Sequence, residues 1–111
     1  MNMQIKEERE KELERELERV TKVLRKDKEI RLVMLFGSLA RGDVSGKSDI
    51  DLIIIKNTKK KFLDRLDEIY STLVPNVALD ILVYTPKEFK AMKSRSFIMN
   101  AMKEGKILHE A

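Results

Sequence analysis

The apolar positions of this chain fall into alternating helical and strand-like patterns. In the segment from Met3 to Asp27, dense in Glu, Lys and Arg, Leu13, Leu17, Val20 and Leu24 recur at steps of four, three and four residues, which makes one stripe along a long helix. Lys6 to Glu29 holds nine basic and nine acidic residues, so the helix is neutral and turns its charges to solvent. The stripe lasts less than two heptads, whereas a coiled coil needs about three or four, so a helix packed on its own domain is expected rather than a partner-binding arm. Ile30 to Phe36 is apolar apart from Arg31 and stops at Gly37, the pattern of a short buried strand. Ser38 to Arg41 then fits a single helical turn, Gly42 to Lys47 a loop, and Asp49 to Ile55 a second strand rich in β-branched Ile.

Phe62, Leu66, Ile69 and Leu73 repeat the four, three, four spacing and predict a second long helix, with Thr58 as its N-cap. That start would place Lys59, Lys60 and Lys61 in the first turn, where the helix dipole disfavours each cation by several tenths of a kcal/mol. Either the three lysines meet phosphate or an acidic partner, or they are a solvated cluster and the helix begins later; the second is preferred. Pro75 and Asn76 break this helix, and Val77 to Tyr84 reads as a third strand with Val77, Leu79, Ile81 and Val83 on one face. Asp80 falls on the other face with Ala78 and Leu82, and a charge inside such a strand needs a reason. Thr85-Pro86-Lys87-Glu88 is a capping box with proline at the first helical position, opening a short helix to about Met92. Ser94 or Ser96 is expected to cap a last helix carrying Phe97, Ile98, Ala101 and Met102, Gly105 to end it, and Lys106 to His109 to add a short edge strand. Strands separated by helical segments indicate an α+β or α/β-like sandwich with helices covering the sheet.

Composition narrows the chemistry. A chain of 111 residues suits one domain, spanning 1–111, with a modest core. Charged residues reach 38%, aromatics 5%, and the net charge of +4 is spread along the chain, which is compatible with a phosphate-bearing partner without requiring one. With no cysteine there is neither a disulfide framework nor a zinc-thiolate site, so any metal is held by oxygen ligands or by His109. No run approaches the roughly 18 apolar residues of a membrane span, and the N-terminus lacks the pattern of a secretion signal, so a cytoplasmic protein is expected. The Lys, Glu and Arg usage also suits a heat-adapted organism.

The candidate chemistry gathers in Phe36 to Ile55, FGSLARGDVSGKSDIDLIII. Strand alternation sends Asp49 and Asp51 to one face, with backbones roughly 6–7 Å apart. Two carboxylates at that separation can bracket one or two divalent ions of the kind that serve displacement at phosphorus, and hard oxygen donors suit magnesium. Asp80, on a strand that could lie about 4.8 Å away, is the natural third ligand. Gly37 and Ser38 follow the first strand where a helical turn begins, so exposed N–H groups, a close backbone approach and a hydroxyl can serve an anion. Arg41 fits either a phosphate contact or a salt bridge. Ser48 either meets phosphate or holds the turn before Asp49, the structural role being preferred. Asp43 reads as a loop charge, Tyr84, Phe97 and Met102 as core or interface residues, and His109 as an exposed side chain.

Gly37-Ser38, ten intervening residues and Asp49-Ile50-Asp51-Leu52 resemble the signature of the nucleotidyltransferase superfamily that includes DNA polymerase β and kanamycin nucleotidyltransferase. The fuller string GSLARGDVSGKSDIDL, with Ala40, Arg41, Gly42 and Ser48 in place, is most similar to the minimal nucleotidyltransferases of bacteria and archaea. The resemblance covers essentially the whole chain, including ALDILV around Asp80. It implies a small mixed β-sheet covered by helices with a long N-terminal helix. It also implies two magnesium ions held by Asp49 and Asp51, a catalytic ion shared with Asp80, β- and γ-phosphates on Gly37 and Ser38, and transfer of AMP from ATP to a hydroxyl with release of pyrophosphate.

Larger members of that superfamily carry added domains for base and acceptor, and almost nothing follows the core here. In the minimal members the acceptor is a separate helical protein of the HEPN class, whose tyrosine receives AMP in a toxin–antitoxin pair. The resemblance therefore implies an antitoxin that adenylylates a HEPN partner. Two alternatives remain open: neutralisation by binding alone through the N-terminal stripe or a Phe97-Ile98-Met102 surface, and transfer to a small molecule or an RNA 3′ end. The missing second domain and the lack of a concentrated basic stripe count against the last, and a nucleic-acid partner is not expected. A homo-oligomer is compatible with the sequence.

Overall fold

The structure, a computed structural model, describes residues 3–111. Its elements run α1 (Met3–Leu24), β1 (Ile30–Phe36), α2 (Gly37–Arg41), β2 (Ile50–Lys56), α3 (Phe62–Leu73), β3 (Leu79–Tyr84), α4 (Pro86–Met92), α5 (Ser96–Glu104) and β4 (Lys106–Glu110). The four strands form one mixed sheet in the order β3-β2-β1-β4. β1 pairs antiparallel with both β2 and β4, while β2 and β3 run parallel. The parallel pair needs a crossover, and α3 supplies it.

Strand parity divides the core between the two faces of the sheet. Leu13, Val20 and Leu24 of α1 and Ile69 and Leu73 of α3 pack with Val33, Leu35, Leu52, Ile54, Ile81 and Val83 on one face. On the other, Phe89 of α4 and Ile98 and Ala101 of α5 pack with Met34, Ile53 and Ile55. The two middle strands are thus covered on both sides, which is why β1 and β2 read as near-continuous apolar runs. The α1 stripe packs on its own domain, as its short length predicts.

Several boundaries differ from the sequence reading. α3 begins at Phe62, behind an N-cap Lys61 that makes no side-chain cap bond. Thr58 is therefore not the cap; its Oγ1 accepts from the Lys60 amide at 3.1 Å in a local turn. The lysine cluster precedes the helix and escapes its dipole, and Lys60 pairs with Glu68. β2 begins at Ile50 and β3 at Leu79, so Asp49 and Val77 lie just outside their strands. Arg95, not Ser94 or Ser96, is the N-cap of α5. Ile98 is fully buried, which removes it from the proposed Phe97-Ile98-Met102 surface, while Phe97 is exposed and meets Phe36 edge-on at 5.7 Å. His109 is half-buried in β4 opposite Val33 rather than exposed.

The predicted capping box at Thr85 is present in both halves. Its Glu88 also receives the buried Arg65 guanidinium, Nη1 to Oε1 at 2.7 Å and Nη2 to Oε2 at 3.2 Å, while Arg65 donates to the carbonyls of Lys60 and Val83. This network ties α3 to the β3–α4 turn. Among the described residues no helix is long and apolar enough to cross a membrane.

Candidate active site

The acidic residues meet because β2 and β3 are parallel and in register, Asp51 directly opposite Asp80. Parity places both on the sheet face that also carries Ile53, Ile55, Leu82 and Tyr84. Asp51 is half-buried, whereas Asp80 is exposed on the outer strand, so it is not the buried charge that its apolar flanks suggest. Burial, reinforced by the charge of Asp80, a hydrogen bond between the two carboxyls and the charge of Asp49, pushes Asp51 up to about 6; the charge of Arg41 opposes this. Asp49 thus acts on Asp51 through charge, from one residue before the strand. Among the described residues no three acidic or histidine side chains close on one point as a ready-made metal cage. The donor set nonetheless fits a hard divalent cation: oxygen ligands only, a carboxylate pair in contact, and an acid driven toward protonation when no cation compensates it.

The turn after β1 supports this cluster from below. Gly37 opens α2 at φ +75, and a Cβ there would overlap the Asp51 carboxylate, standing 2.9 Å from its Cγ. Glycine at 37 is what lets the turn lie against Asp51. Ser38 Oγ donates to Ser48 Oγ at 3.1 Å, and Ser48 Oγ accepts from the Ser45 amide at 2.7 Å. Ser48 is buried and closes the 42–47 loop onto α2, which is the structural role expected of it. Arg41 ends α2 and reaches Glu104 of α5 at 3.4 Å, with both side chains exposed.

Two contributors lie outside the residues that the sequence singles out. Arg9 of α1 donates from Nε at 3.2 Å and from Nη2 at 2.8 Å to the carbonyl of Ser48, the residue before Asp49. Tyr70 of α3 donates at 2.5 Å to the carbonyl of Leu79, the residue before Asp80. Tyr70 could have been noticed as the polar-tipped aromatic beside the α3 stripe; Arg9 is one cation among many.

The profile of the family described as Polymerase beta, Nucleotidyltransferase matches residues 18–111. Residues 3–17 of α1 precede that segment. A candidate protein adenylyltransferase of Methanocaldococcus jannaschii is 31% identical over 81 residues, covering 72% of this chain and 79% of that protein. Among solved structures, a candidate nucleotidyltransferase from Sulfolobus solfataricus superposes with a TM-score of 0.60 at 24% identity, over 78% of this chain and 79% of that one. A chain from a toxin–antitoxin complex with AMP-PNP gives 0.54 at 22%, over 85% and 73%. A chain from the complex of a tri-AMPylated Shewanella oneidensis HEPN toxin with its MNT antitoxin gives 0.51 at 19%, over 89% and 73%.

Proposed function

The chain belongs to the polymerase β-type nucleotidyltransferase family, and on that premise we propose that it is a magnesium-dependent protein adenylyltransferase that moves AMP from ATP onto a tyrosine hydroxyl of a HEPN-class partner. The observation that carries this reading is the parallel register of Asp51 and Asp80 beside the Gly37-Ser38 turn. Asp49, Asp51 and Asp80 are the residues that would hold divalent cations. When bound, such ions neutralise phosphate charge and make the acceptor hydroxyl easier to deprotonate. Gly37 and Ser38 face the β- and γ-phosphates, for which the Ser38 hydroxyl turns away from Ser48. Asp80, the most exposed of the three acids, takes the proton of the attacking hydroxyl. The hydroxyl oxygen bonds to the α-phosphorus, and the bond from that phosphorus to the bridging oxygen breaks, releasing pyrophosphate. Ser48 acts by shaping the loop and Arg41 by electrostatics across Asp51.

The toxin–antitoxin relatives support the choice of partner, and the one-domain, cytoplasmic antitoxin expected from the sequence is the setting in which this chemistry makes sense. The test is transfer of label from α-labelled ATP to a co-expressed HEPN protein, expected for the wild type and absent in an Asp49→Ala, Asp51→Ala variant. Equal behaviour of the two proteins, with no labelled partner, overturns the reading.

The exposure of Phe97, Met99, Met102 and Ile107 favours a second reading, in which neutralisation is by contact alone. Toxin inhibition that survives loss of Asp51 and of nucleotide supports contact; inhibition lost with Asp51 supports transfer.

A further inference from the structure

Helix α1 touches both loops that lead into the acidic residues, and it does so from one face. Arg9, Leu13, Glu16 and Val20 are spaced four, three and four apart, so they line a single stripe. Leu13 and Val20 have no exposed surface, and Leu13 shares a core cluster with Val44, which lies in the first loop, and with Ile50 and Leu79, which end the two loops. Either side of Leu13 the stripe carries a charge. Arg9 grips the Ser48 carbonyl through two N–H groups and is itself paired with Glu12. Glu16, only 5% exposed, accepts from the Asn76 backbone amide and from Asn76 Nδ2 at 3.2 Å, and Arg19 donates to it at 2.7 Å. Asn76 lies in the turn that delivers β3 and Asp80. Where the two loops end, the Ile50 amide at the start of β2 donates at 3.2 Å to the carbonyl of Ala78, the residue before β3, just ahead of the Asp51–Asp80 pair.

Packing alone would not call for these charges: an apolar residue at 16 would cover the same core, and a buried carboxylate is costly unless paired. What the pair adds is direction, because Arg9 fixes the carbonyl next to Asp49 and Glu16 fixes the Asn76 amide in the turn that leads into β3.

We propose that α1 is a positioning splint for the acidic site, with Arg9 acting through the Ser48 carbonyl on Asp49 and Glu16 acting through Asn76 on Asp80. Both are positioning residues; neither touches substrate. The proposal rests on the nucleotidyltransferase reading for its functional meaning, and it concerns contacts that act from outside the metal ligands. Outer contacts that orient ligating groups typically change metal affinity about 10–100-fold when removed.

The test uses the full chain with Mn2+ as the probe cation and a non-hydrolysable ATP analogue. In Arg9→Ala, Mn2+ binding followed by electron paramagnetic resonance is expected to weaken about tenfold, with Tm little changed because the Leu13 and Val20 packing of α1 is kept. Arg9→Lys, which keeps one donor, restores part of the affinity. Hydrogen exchange of the Ile50 amide, read without metal, is expected to accelerate in Arg9→Ala while that of Val33 in the sheet centre stays as in the wild type. Glu16→Gln, which keeps the shape, is expected to accelerate Ile50 exchange by a larger factor than Val33 exchange, the Val33 change following its loss of global stability. Wild-type Mn2+ affinity and wild-type Ile50 exchange in Arg9→Ala overturn the proposal, as does a uniform rise in exchange across all amides, which would mark a structural role only. A wild-type protein that takes up no Mn2+ overturns the function reading instead, and Ile50 exchange by itself then decides for or against the splint.

Discussion

Gly37 lies so close to Asp51 that any side chain at 37 would occupy the space of the carboxylate. Its φ of +75 adds a second demand, since the left-handed region costs other residues about 1–2 kcal/mol. Gly37→Ala is therefore expected to lower stability in denaturant unfolding by more than the about 1–2 kcal/mol of the left-handed conformation alone. AMP transfer should fall much further, because the displaced group is the central acid. Transfer at near wild-type rate would show that the Asp51 position is not critical.

The acid itself is held at a cost. Its folded value is raised from 3.8 to about 6, so the ionised form destabilises the metal-free fold. Wild-type stability should be greatest below pH 4 as far as this group is concerned, and its contribution is lost as pH rises through 6. In chelator at pH 8, Asp51→Asn is expected to be more stable than wild type by about 1–2 kcal/mol, with the gap closing toward pH 4. The same variant should be inactive. Calorimetry across pH checks the first claim, and labelled ATP the second.

Cation and nucleotide together should reverse that penalty. Magnesium with ATP is expected to raise Tm, the linkage amounting to about 2.7 kcal/mol at ligand concentrations about a hundredfold above Kd. The Asp49→Ala, Asp51→Ala variant should show no such shift. An unchanged wild-type Tm at saturation would count against the site.

Glu16 works in the opposite direction. Its hydrogen bonds from Arg19 and Asn76 outweigh burial and hold it down at about 2. The stability it contributes is present above about pH 4.5 and lost as pH falls toward 2. Glu16→Gln is expected to cost about 1–3 kcal/mol at pH 7 and nearly nothing at pH 2, measured by denaturant midpoints.

Val74 offers a gain. It is a β-branched residue at φ 43, yet 71% exposed, so it bears left-handed strain without packing in return. Val74→Asn is expected to stabilise by about 1 kcal/mol, because Asn visits this region readily, and to leave transfer unaffected. A drop in Tm would show that the side chain has a role at the surface.

Much of this protein is written locally. Four-three-four spacing marks α1 and α3, near-continuous apolar runs mark β1 and β2, and Thr85 to Glu88 carries its own helix start, because each depends on residues within a few positions of one another. The spacing of Asp49 and Asp51 is legible for the same reason, as is the glycine between β1 and α2. Helix starts were less legible where no side chain caps them, at Lys61 and Arg95, since nothing in the sequence marks the first turn.

What the tertiary structure decided is which distant residues meet. Periodicity sets the face of Asp80 but not the parallel register that puts it opposite Asp51 rather than two residues away. Nothing near Gly37 states that its missing side chain is room for a carboxylate from another strand. Arg9 is one cation in a helix full of them, and only folding brings it to the Ser48 carbonyl, 39 positions along the chain. Local spacing determines what each element is; long-range closure, with no periodic signature, determines how the elements assemble the site.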